Sequence, residues 1–167
     1  MKYKRESSPS PSSSSTRQCK YEVFLSFRGK DTRKNFTDHL YAALKQMGII
    51  TFRDEEGLKR GKYISKLFEA IEESEIAIII FSKNYAFSKW CLKELAKINE
   101  CRKKIGLIVL PIFYDVEPSD VKKQTGPFEQ AFIDHQKCFE VSIEEVETWR
   151  TALKEVASII GWPLQNR

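Results

Sequence analysis

The chain has no long apolar stretch. None of its hydrophobic runs approaches the roughly 20 residues that a membrane-spanning helix needs, so a soluble domain is expected. The amino terminus is basic but runs into serine and proline instead of an apolar stretch of about 7 to 15 residues, so the core of a secretory signal is missing and the chain is expected to stay inside the cell. Cysteine is sparse: Cys19, Cys91, Cys101 and Cys138 show no C-x-x-C spacing and have only His39 and His135 beside them. No metal site takes shape from that set, and all four read as reduced thiols. Neither G-x-G-x-x-G nor G-x-x-x-x-G-K-[ST] occurs, which removes the ordinary dinucleotide-binding and P-loop readings.

What is present suffices for one globular domain. At 167 residues the chain can bury about two-thirds of its unfolded surface, enough for a core without disulfides or a structural metal. The net charge of +5 invites a nucleic-acid reading, but residues 1–20 hold five cations (Lys2, Lys4, Arg5, Arg17, Lys20) against Glu6 and so carry +4 of it. The remainder is close to neutral, which argues against a nucleic-acid partner. Residues 7–16, SSPSPSSSST, are too polar to repay the entropy of ordering them, so residues 1–20 are read as a disordered basic leader and the folded domain as 21–167.

Strand and helix patterns alternate from there. Tyr21–Phe27 (YEVFLSF) predicts a strand, and Phe36, Leu40, Leu44 and Met47 recur at helical spacing after Asp31 or Thr32 as cap. Gly48 stops that helix, Ile49–Phe52 is a short strand, and Ile64, Leu67, Phe68 and Ile71 mark a second helix. Ile76–Phe81 (IAIIIF) is apolar without alternation, as a parallel strand covered on both faces requires, and should be central. Ser88 caps a helix whose buried stripe is Cys91, Leu95 and Ile98, and Leu107–Tyr114 (LIVLPIFY) is a further strand that Pro111 makes awkward. A helix over about 128–139, a longer one through Val146, Trp149, Leu153, Val156 and Ile160, and an edge strand at Gly161–Leu164 complete the pattern. These units predict an α/β fold, a flavodoxin-like doubly wound parallel five-stranded sheet of order 2-1-3-4-5, whose ligand site lies beyond the strands' carboxyl ends.

Four charged loops leave those ends: Arg28–Arg33, Asp54–Gly61, Ser82–Trp90 and Asp115–Asp120. Arg28, Gly29 and Arg33 stand at the start of the first helix, where free N–H groups and the helix dipole favour a phosphate. Pairing of the two arginines with Asp31 or Asp54 explains the same residues equally well. On the third helix Trp90 and Glu94 are four residues apart and share one side, offset from the Cys91–Leu95–Ile98 stripe. That is either a ring and a carboxylate lining a site, or a surface aromatic beside a solvated acid. A phosphoacceptor receiver is excluded, because Ser26-Phe27-Arg28 and Phe81-Ser82 stand where it needs acids. Neither histidine falls on a carboxyl-edge loop, so nucleophile–base chemistry is poorly supported.

The segments YEVFLSFRGKDTR, FTDHLYAAL, ITFRDEEGLKRG, AIEESEIAIIIFSKNYAFSKWCLKEL and VLPIFYDVEPSDVKKQTG resemble, in order, those of a plant Toll/interleukin-1 receptor (TIR) domain, over about 21–164. Such domains occur in TIR-type NLR disease-resistance proteins and in TIR-only proteins. The resemblance implies an enzyme of plant innate immunity, an NAD+ nucleosidase that cleaves NAD+ or NADP+ at the nicotinamide–ribose bond and makes ADP-ribose-type signalling nucleotides. NAD+ or NADP+ is then substrate, with no other cofactor and no metal. The glutamate of W-C-L-x-E-L is the family's catalytic residue, here Glu94; Arg28, Gly29 and Arg33 would hold phosphates, and Ser88 and Trp90 would line the ribose and ring pocket. Asp54, Gly57, Leu58, Lys59, Arg60 and Gly61 resemble the family's BB-loop, which gates the pocket and joins neighbouring domains.

The implied partners are other TIR domains and, through the nucleotide product, lipase-like immune adaptor proteins. The implied place is the cytoplasm, with the nucleus also open. Self-association surfaces map to Asp38, His39, Lys122, Gly161 and Trp162. Some family members have Ser-His where this chain has Asp38-His39, and family domains usually continue past the Gly161-Trp162 segment into another long helix, which this chain is expected to lack. The rival reading is a catalytically silent TIR–TIR adaptor in defence signalling.

Overall fold

A computed structural model describes residues 17–32, 36–54 and 63–164. In chain order these form β1 (Tyr21–Ser26), α1 (Gly29–Thr32), α2 (Asp38–Gln46), β2 (Thr51–Phe52), α3 (Ile64–Glu72), β3 (Ser74–Phe81), a 3-10 turn (Tyr85–Phe87), α4 (Lys89–Lys104), β4 (Ile108–Tyr114), α5 (Pro118–Lys123), α6 (Pro127–Gln136), α7 (Ile143–Ala157) and β5 (Trp162–Leu164). The strands make one parallel sheet of order β2-β1-β3-β4-β5, as the sequence pattern predicts.

Side-chain alternation sorts the core into two layers. Phe24 of β1, Ala77, Ile79 and Phe81 of β3, and Val109 and Phe113 of β4 join the buried residues of α3 to α7. Val23, Leu25, Ile78 and Ile80, with Phe27 just past β1, face the other way and meet Phe36 and, from α2, Leu40, Tyr41 and Leu44. Burial on both faces explains why β3 reads as unbroken apolar sequence.

Gly48 ends α2 as expected. Its φ of +76° lets its N–H reach the Lys45 carbonyl at 3.0 Å while the Ile49 N–H reaches Leu44 at 2.9 Å, the paired closure of a Schellman motif. Pro111 is accommodated without breaking β4: it pairs with Ile79 of β3, whereas β5 engages β4 only from Ile112 onward. The chain closes tightly on that point, since a Cβ on Gly161 would lie 2.3 Å from the Pro111 carbonyl oxygen.

Several boundaries differ from the sequence pattern. The first helical turn starts at Gly29, and Asp31 is not its cap because its carboxylate is engaged by the loop after β3. Met47 is 75% exposed and leaves the α2 stripe. The helix expected over 128–139 stops at Gln136, and α7 stops at Ala157, leaving Phe139 and Ile160 exposed. The segment after β4, read as loop, contains the helix α5. It ends on Gln124 at φ +58°, a strained conformation for this residue type, held because the Gln124 side chain donates to the Arg150 carbonyl and accepts from the Arg150 guanidinium, both at 2.8 Å.

Candidate functional site

The carboxyl end of β1 and the start of α4 meet around one carboxylate. Ser88 caps α4, its hydroxyl oxygen accepting the Cys91 N–H at 3.2 Å, and this fixes the helix's first turn. One turn on, Glu94 is fully buried, and Ser26 at the end of β1 donates to its Oε1 at 2.9 Å. The Tyr85 hydroxyl lies 2.8 Å from Ser26 Oγ and 3.2 Å from the Cys91 carbonyl oxygen. The Tyr85 phenol is pushed well above its ordinary range, by burial first, then by the nearby Cys91 and Glu94, with the Ser26 hydrogen bond opposing.

The burial of Glu94 corrects the sequence reading, which placed it with Trp90 on a partly exposed side of the helix. The buried face of α4 is wider than the expected stripe and includes Leu92, Glu94, Asn99 and Cys101. Trp90 is half-buried, with the Lys89 and Lys93 ammonium groups 5.2 and 4.9 Å from its ring centroid.

A second set of bonds joins the loops on this edge. Asp31 accepts from Ser82 Oγ at 2.6 Å and from the Asn84 backbone N–H at 3.0 Å and side-chain amide at 3.3 Å. Among the described residues, Asp31 thus forms a clasp between the segments after β1 and β3. Arg28 and Gly29 are half-buried here, and the Arg28 Nε is buried without a hydrogen-bond partner among the described residues. Arg33 and the BB-loop residues Gly57, Leu58, Lys59, Arg60 and Gly61 lie outside the described residues; Asp54, at the loop's start, is buried.

The expected self-association residues fall on different elements. Asp38 on α2 is ion-paired with Arg53, whose guanidinium stacks on Tyr41 at 4.1 Å, and His39 beside it is exposed. Lys122 is exposed on α5, Trp162 is 57% exposed on β5, and Gly161 is packed against Pro111. Among the described residues no cluster of His, Cys, Asp and Glu could hold a metal ion, and no helix is long and apolar enough to cross a membrane. A recess of about 770 Å³ lies between α3, α4 and α7, lined by Phe68, Ala96, Lys97, Thr148 and Ala152, but it is a surface groove that does not include Glu94.

Ser26, Tyr85 and the Asp31 clasp were not picked out from the sequence. The available signal was the serine that follows the apolar run Val23-Phe24-Leu25 in β1, a polar group that had to find a partner in the core.

Residues 20–167 match the family model of the TIR domain. The chain belongs to the TIR domain family. It is 53% identical to the disease resistance protein RPV1 of Vitis rotundifolia over 161 residues, 96% of this chain but 11% of that protein. It is 50% identical to the TMV resistance protein N of Nicotiana glutinosa over 151 residues, 90% of this chain and 13% of that one. The chain thus spans roughly a tenth of the length of these relatives. Among solved structures, it is similar to the TIR domains of the activated Roq1 resistosome that directly recognises the pathogen effector XopQ, with a TM-score of 0.78 and 52% identity over 86% of this chain and 87% of that one.

Proposed function

We propose that this TIR domain cleaves NAD+ or NADP+ at the nicotinamide–ribose bond, in plant immune signalling, with Glu94 as the catalytic carboxylate. The observation that carries this reading is a fully buried glutamate held by Ser26 at the carboxyl end of β1, with Trp90 one turn earlier on the same helix and Arg28 two residues beyond Ser26. Nicotinamide departs from a pyridinium cation as a neutral base, so no general acid is needed. The oxocarbenium-like transition state instead needs a fixed anion and oriented ribose hydroxyls. Glu94 supplies the anion, Arg28 the cation for a phosphate, and Trp90 a ring for stacking.

A buried carboxylate has to be uncovered before substrate reaches it. That requirement fits a domain switched on by self-association, as the likeness to resistosome TIR domains suggests. The nucleotide product would then act on lipase-like adaptor proteins. The same burial favours a second reading, a TIR–TIR adaptor without turnover. Incubating purified protein with NAD+ and NADP+ and resolving the products decides between them: release of nicotinamide that Glu94→Gln abolishes supports the enzyme, and no release from the self-associated protein supports the adaptor.

A further inference from the structure

Three oxygen contacts in the buried network share too few protons. The contacts are Glu94 Oε1 to Ser26 Oγ (2.9 Å), Ser26 Oγ to the Tyr85 hydroxyl (2.8 Å), and the Tyr85 hydroxyl to the Cys91 carbonyl (3.2 Å). Ser26 and Tyr85 bring one hydroxyl proton each. While Glu94 is ionised it can only accept, so the Ser26 proton is committed to Oε1, and Ser26 Oγ can then only accept from Tyr85. The Tyr85 proton has two acceptors, and the serine oxygen is the nearer. Its phenol is held far above its ordinary range by burial, so it stays a donor. The result is a one-way chain, Tyr85 to Ser26 to Glu94, in which the phenol fixes the serine rotor and the serine fixes the carboxylate. The parts come from three elements, the end of β1, the 3-10 turn and α4, and Ser26, Tyr85 and Glu94 are all closed to solvent.

We propose that Ser26 and Tyr85 are positioning residues for Glu94, a hydroxyl relay that holds one carboxylate oxygen so that the group meets the reacting sugar in a fixed orientation. The proposal deepens the NAD+-cleavage reading and, in its kinetic consequence, rests on it. Ser26→Ala and Tyr85→Phe each delete one hydroxyl while keeping the rest of the side chain. Each is expected to lower kcat about tenfold or more, the scale of a hydrogen bond to a charged group, with KM within about twofold of wild type. Because the two act through one chain, the double variant should lose no more than Ser26→Ala alone; multiplied losses, or losses carried by KM, overturn the relay.

A second measurement separates this proposal from the enzymatic reading. In protein carrying ¹³C-labelled glutamate, with the Glu94 carboxyl resonance assigned by its loss in Glu94→Gln, both single variants should move that resonance at neutral pH in the same direction. If wild type cleaves no NAD+, the enzymatic reading fails while the carboxyl resonance still decides the relay. A Glu94 signal unmoved by Tyr85→Phe overturns the relay whatever the turnover, and Tyr85→Phe, which keeps the buried ring, carries the test if Ser26→Ala does not fold.

Discussion

Ser82 Oγ donates to the Asp31 carboxylate at 2.6 Å, so the segment that follows β1 is fastened to the segment that follows β3 by side chains 51 residues apart. With the Asn84 N–H groups on the same carboxylate, this clasp sets how far apart the two loops on the carboxyl edge stand. Asp31→Ala leaves three donors without their acceptor. We expect it to cost about 1–3 kcal/mol in chemical denaturation and to raise KM for NAD+ more than it lowers kcat. Unchanged stability would mean that the clasp is redundant.

Glu94→Ala and Glu94→Gln should part company. Full burial means that alanine opens a cavity and strips the Ser26 hydroxyl of its acceptor, so a loss of about 2–4 kcal/mol is expected. Glutamine fills the same volume and should melt within a few degrees of wild type. Both should abolish cleavage, making Glu94→Gln the variant that separates chemistry from folding. Equal melting temperatures for the two would contradict the buried placement.

Gly161→Ala puts a methyl group 2.3 Å from the Pro111 carbonyl oxygen, so backbone must move. A loss of about 1–3 kcal/mol is expected. The local sign should be faster amide exchange at Asp115, whose N–H bonds the Leu164 carbonyl at 2.7 Å, with exchange in β3 unchanged. Slow exchange at Asp115 in the variant would show that β5 tolerates the methyl group.

The α4–α7 contact should be sensitive to acid. Hydrogen bonds from Asn99 and then Lys103 hold the Glu155 carboxyl below its ordinary value of 4.5. A depressed carboxylate pKa adds stability that is present above 4.5 and is lost as pH falls through the lower folded value. The group is partly exposed, so screening keeps the effect below about 1 kcal/mol. Glu155→Gln should therefore be slightly less stable than wild type at neutral pH and equal to it at strongly acid pH. A difference that grows on acidification would reverse the assignment.

Self-association predicts that specific activity rises with protein concentration. Trp162→Ala, on the exposed tip of β5, should weaken assembly before it weakens folding. Cleavage strictly proportional to enzyme over a hundredfold dilution, a span worth about 2.7 kcal/mol of association, would count against assembly as the switch.

Much of this molecule was readable from its residues because the signals were periodic. β3 announced itself by an apolar run, α4 by Ser88 and the spacing of Cys91, Leu95 and Ile98, and the end of α2 by Gly48. α5 escaped because six residues with only Val121 buried carry too little periodicity. The burial of Glu94 escaped because spacing fixes which residues share a side of a helix, not how far the neighbouring elements reach around it. Glu94 was singled out by resemblance, whereas Tyr85 sits in a short turn, where no period points at a partner.

The parallel pairing of β5 with β4, just past the tight seam between Gly161 and Pro111, sets where attachments belong on this domain. Because all five strands are parallel, β5 delivers the backbone at Leu164 to the same rim that carries Ser26, Ser82 and Asp115, while Tyr21 enters from the opposite rim. A fluorophore or affinity tag joined after Leu164 would start from the rim that carries Ser26, and one joined just ahead of Tyr21 would start from the opposite rim, a full strand length away. Tags ahead of Tyr21 are therefore the choice for measuring turnover, and a bulky group after Leu164 becomes a probe of how much room that rim needs.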